Sequence, residues 1–169
     1  MEQQGALQAV SDAVTVWEVD PVGALDDLRR SAATWSTVSG SSVAADLAAD
    51  DDETSRARIR TLALELRDEL GLPQREGAEL QDAAVAAMCR RHLSGELTAR
   101  ELTYWIWRVV GLKGSERCRP FLKFEDEYTR YAAYDCSAID ADVTTAAGEF
   151  VKPREGKRRS GLAKLFRRG

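Results

Sequence analysis

The sequence predicts an all-α protein: a single acidic bundle of about six or seven amphipathic helices over residues 1–151, with a flexible basic tail at 152–169. Three observations lead there. Apolar residues recur at i, i+3, i+4 and i+7 through most of the chain. Period-two alternation is absent, apart from Thr15 to Val19, which also reads as a short strand. Helix starts and stops punctuate the chain, as Asp-Pro, Gly-Leu-Pro and Ser-Gly pairs.

The central element is Met88 to Lys113, a helical hairpin. One helix ends near Leu93, and Ser94-Gly95 turns the chain. Thr98 caps the second helix, and Glu101, three residues on, bonds back to it. Leu102, Trp105, Ile106, Val109 and Val110 then form one apolar stripe, closed by Gly111 and Gly114.

In chain order, Leu7, Val10, Val14 and Trp17 share the face of a first helix over 1–18. Asp20-Pro21 predicts the opening of a second, because Pro fits a first helical position. Val22, Leu25, Leu28, Ala32 and Trp35 give its stripe, which ends near Gly40. Val43 to Ala49 fits one short helical turn. A strong helix over about 53–71 carries Ile59, Leu62, Leu66 and Leu70, and the acidic run Asp50 to Glu53 supports its N-terminus. Gln74 to Ala78 is a linker. Leu80 to Leu93 is alanine-rich, so a neighbouring helix can approach closely. Pro120 opens a helix on which Phe121, Phe124, Tyr128 and Tyr131 share a face. Ser137 with Asp140 opens the last, carrying Ile139, Val143, Ala147 and Phe150.

Composition narrows the functional classes. Three cysteines (Cys89, Cys118, Cys136) at unrelated spacings argue against a disulfide framework and for a reducing cytosol. The abundance of Ala and of Arg over Lys points to a high-GC bacterium. No apolar run reaches membrane-spanning length and no secretory signal opens the sequence, so the expected location is cytoplasmic. The net charge of −4 is split: residues 1–150 hold 16 basic and 27 acidic side chains, and 151–169 hold eight basic and one acidic.

No motif names a chemistry. The only histidine, His92, lies three residues from Cys89, so both can face one way. With Cys118 and Cys136 they would make a three-cysteine, one-histidine zinc set, but the close ligand pairs of such sites are absent. His92 is expected instead to support a helix C-terminus. There is no phosphate-binding glycine loop and no nucleophile elbow, and the consecutive Glu125, Asp126 and Glu127 do not converge. The expectation is a non-enzyme without metal or cofactor. An enzyme with an unrecognised helical-bundle site is carried as the weaker alternative.

Two surfaces are candidates for function. Glu125, Asp126, Glu127, Tyr131, Tyr134 and Asp135 combine carboxylates with tyrosines, a pattern that suits a basic protein partner. In the tail, Lys157, Arg158, Arg159, Lys164, Arg167 and Arg168 surround Leu162, Leu165 and Phe166. Such a segment suits an anionic membrane surface or nucleic acid, which would make the chain an adaptor peripheral to the membrane. The acidic helical body, and the segment from Leu93 to Tyr104 in which a hairpin follows Ser-Gly-Glu-Leu-Thr, resemble small helical bacterial immunity proteins. That resemblance spans about 40 residues and implies an inhibitor that neutralises a basic toxic nuclease, with acidic and tyrosine side chains standing in for phosphates.

Overall fold

The computed structural model describes residues 2–49 and 56–152. Among them are eight α-helices and no strand: α1 (Glu2–Val19), α2 (Leu25–Ser39), α3 (Ser42–Ala49), α4 (Arg56–Glu69), α5 (Gly77–Leu93), α6 (Ala99–Trp105), α7 (Arg119–Arg130) and α8 (Ser137–Val151). None is long and apolar enough to cross a membrane. The acidic run at 50–53 and the tail side chains from Pro153 onward lie outside the described residues.

The two readings of Thr15 to Val19 resolve to helix. Thr15 donates its hydroxyl to the Ser11 carbonyl at 2.8 Å, one turn back, and Asp20 N–H reaches Val16 O at 2.9 Å. Val10, Val14 and Trp17 are buried on one face, while Leu7 lies largely outside it. Asp20-Pro21 does not open α2 directly, and Asp20 does not cap it. Its carboxylate accepts from Gly23 N–H at 3.0 Å and closes a turn, and α2 begins only at Leu25. Val22 accordingly sits on the turn, 73% exposed, and leaves the stripe to Leu28, Ala32 and Trp35.

The alanines of α5 act as expected. Ala84 and Ala87 are fully buried with Val85, and α5 lies between α1 and α8, with α6 folded back on it. Small side chains permit close approach on both sides, so α5 is the axis of the bundle. A second group, α1 through α4, packs in sequence around Leu28, Leu47 and Leu66.

The capping box at Thr98 is complete: Glu101 N–H donates to Thr98 Oγ1 at 3.2 Å, and Thr98 N–H donates to the Glu101 carboxylate at 2.8 Å. The helix it opens does not run uniformly. At Ile106 it widens to a π-helical segment, Ile106–Val110, followed by a short 3₁₀ turn, Gly111–Lys113. One extra residue per turn rotates the following side chains. Ile106 and Val110 stay buried, Val109 is half-buried, and Trp107 turns outward. Gly111 ends the segment at φ 51° and ψ −131°, a conformation that strains any side-chain-bearing residue.

Candidate functional site

The expected tyrosine and carboxylate surface is built at the corner between α7 and α8. α7 stops at Arg130, so Tyr131 leaves the helical stripe and stands exposed instead of joining Phe121 and Tyr128 in the core. Tyr131 and Tyr134 meet edge to face, with ring centroids 6.4 Å apart. They are 45% and 73% exposed. Asp135 is exposed and accepts from Ser137 N–H at 2.9 Å, which ties the corner to the start of α8. Those Ser137 hydrogen bonds hold its carboxyl below the usual range. Asp126 is exposed and Glu127 half-buried on α7. Among the described residues neither has a cationic partner within ion-pair distance.

Glu125 does not stand on that surface. It is buried, and its carboxylate accepts the Thr103 hydroxyl from α6 at 2.9 Å. Consecutive residues on a helix point about 100° apart, so the three adjacent carboxylates cannot share one face: Glu125 turns to α6 while Asp126 faces water. Tyr128 is likewise internal: its hydroxyl donates to Asp140, and burial together with that carboxylate raises its pKa.

The cysteines and His92 are dispersed in role. His92 Nδ1 lies 2.9 Å from Leu97 O, and Nε2 lies 2.9 Å from Thr144 Oγ1 on α8. Both ring nitrogens are therefore engaged in joining the α5–α6 turn to α8. Cys89 and Cys118 are buried in the core and Cys136 is half-buried near the α7–α8 corner. Burial pushes the Cys89 and Cys118 thiols up to about 12. Among the described residues no three His, Cys, Asp or Glu side chains converge as metal ligands would.

A second exposed aromatic group was not singled out from the sequence. Tyr104 and Trp107, three apart, stack at 6.1 Å between ring centroids, and Leu112 beyond them is 86% exposed. A regular 3.6-residue stripe already used Trp105 and Ile106, so Trp107 was legible only as an off-stripe aromatic. A cleft of about 750 Å³ between α1, α2, α4 and α5 was also missed. Four arginines line it, two of them spaced four apart at the start of α4.

The chain matches no model of a known protein family, no curated protein and no solved structure.

Proposed function

We propose that the protein is a non-catalytic protein-binding module that presents the α7–α8 corner to a basic protein partner, in the manner of an immunity or antitoxin-type inhibitor. The observation that carries this reading is the exposed edge-to-face pair Tyr131–Tyr134 beside carboxylates that no cation of the described chain neutralises. Tyrosines lose little entropy on being ordered and combine an apolar body with a polar tip. Unpaired carboxylates around them favour fast association with a positive surface. Asp126, Glu127 and Asp135 supply the charge, while Tyr131 and Tyr134 supply the contact area.

The test is affinity capture from the native cell lysate with three baits: the full chain, a 1–151 truncation, and a Tyr131→Ala/Tyr134→Ala variant. The expected result is one basic protein held by the first two, released by salt, and lost from the third. Capture that is indifferent to the two tyrosines overturns the assignment of this surface. If the truncation alone loses its catch, and that catch is membrane or nucleic acid, the adaptor reading of the basic tail replaces it.

A further inference from the structure

We infer that the cleft between α1, α2, α4 and α5 binds a small amphipathic anion, an apolar body carrying one carboxylate or phosphate head. The cleft encloses about 750 Å³, within the range of small-molecule sites. Trp17 and Ile59, both buried, and the half-buried Leu64 supply apolar lining. The polar lining is dominated by Arg56, Arg60, Arg67 and Arg75, against two glutamates. A cationic cleft on a body that is strongly acidic overall is the reverse of what composition alone would place there.

The arrangement of α4 sharpens the inference. Arg56, Arg60, Leu64 and Arg67 fall at i, i+4, i+8 and i+11, one stripe that faces the cleft. Arg67 is satisfied by Glu18 at 3.2 Å and by Asp68 at 2.8 Å, and Arg75 lies 3.8 Å from Glu79. Arg56 and Arg60 are exposed and have no carboxylate within ion-pair distance among the described residues. Two like charges at i, i+4 repel each other. Arg56, in the first turn of α4, also opposes the helix dipole. Two neighbouring guanidiniums on one wall of the cleft concentrate positive charge where an anionic head group would sit. A planar guanidinium fork matches a carboxylate or phosphate in two-point hydrogen bonding, and the apolar lining accepts the body of the ligand.

The experiment is calorimetric titration of the full chain with dodecanoate, dodecyl phosphate and dodecylammonium, each below its micellar concentration. Binding of either anion, with the ammonium bound at least about tenfold more weakly, is expected from the arginine pair. Preference between the anions identifies the head group. Arg56→Glu/Arg60→Glu alters two exposed side chains and leaves the core intact, and should weaken anion binding at least about tenfold. Val22→Asp, which adds a carboxylate at an exposed lining position, should weaken it in the same direction. The inference is overturned if neither anion binds, if the ammonium binds as tightly, or if the double charge reversal leaves affinity unchanged.

Discussion

The guanidinium of Arg90 on α5 grips the carboxylate of Asp12 on α1, with Nε 2.9 Å from one oxygen and a terminal nitrogen on the other. Asp12 is buried, and among the described residues its one other side-chain donor is Gln8 Nε2 at 2.8 Å. The pair joins α1 to α5, two helices that pack against each other. Removing Arg90 leaves a buried carboxylate short of its main partner. A fully buried pair broken this way costs about 3–5 kcal/mol. The Arg90 side chain is 39% exposed, so solvent replaces part of it, and Arg90→Met should cost about 1–3 kcal/mol. Asp12→Leu/Arg90→Met should recover much of that loss, because no charge is then stranded. Urea unfolding of the three proteins checks this, and a double variant no better than Arg90→Met would sink the account.

Asp20 binds three donors from three directions. Gly23 N–H reaches one oxygen at 3.0 Å, while Arg108 at 3.0 Å and Trp105 Nε1 at 3.3 Å share the other. A Cβ at position 23 would come within 2.9 Å of the Asp20 carboxyl carbon. Gly23→Ala must therefore displace a carboxylate that α6 and the π-helical segment also use. The expected cost is about 1–2 kcal/mol, with a shift in tryptophan emission as Trp105 loses its acceptor. Unchanged emission and an unchanged unfolding midpoint would show that the carboxylate moves freely.

The sequence made the helices legible because burial here follows a single period. Val143, Ala147 and Phe150 on α8, or Leu28, Ala32 and Trp35 on α2, are buried as their spacing requires. The Thr98 and Glu101 box is local chemistry, readable from two side chains three apart. What was not legible depends on tertiary context. The spacing of Asp20 and Pro21 is equally that of a cap and of a turn, and the choice is made by Arg108 and Trp105, more than 80 residues away. The π-helical widening leaves no composition signal, so Trp107 emerged where a regular helix would have continued. Glu125 and Asp126 look alike in sequence, and only the position of Thr103 on α6 decides which is internal. The spacing of Arg56, Arg60 and Arg67 acquires meaning only with α1 and α2 opposite it, so it carried no signal in the sequence.

Thr103 and Glu125 form a buried link between α6 and α7. The Thr103 hydroxyl lies 2.9 Å from the Glu125 carboxylate and 3.1 Å from Arg100 O, so one proton is shared between two acceptors. Thr103→Val keeps the shape and removes the donor. Leaving a buried carboxylate without it should cost about 1–3 kcal/mol, whereas Thr103→Ser should cost under about 1 kcal/mol. Thermal unfolding separates the two variants, and equal losses would mean that packing of the methyl, not the hydrogen bond, matters at this position.

The buried thiols make stability fall in alkali. Burial raises Cys89, and burial with the adjacent Asp82 carboxylate raises Cys118, each to about 12 in the folded protein. An unfolded thiol titrates near about 8.5. Both groups keep their protons in the fold while the unfolded chain loses them. Their contribution is therefore complete below about pH 8.5 and is lost as the pH rises towards the folded value. Between those two values each thiol should lower the unfolding free energy by up to about 1.4 kcal/mol per pH unit. Urea unfolding between about pH 7 and 10 reads this directly. Cys89→Ala/Cys118→Ala should be less stable at neutral pH, through lost packing, yet should show a flatter alkaline decline than the parent. A parallel decline in both proteins would assign the alkaline loss to other groups. The same burial predicts that iodoacetamide at neutral pH modifies Cys136 first and reaches Cys89 and Cys118 only after unfolding, a difference mass spectrometry resolves residue by residue.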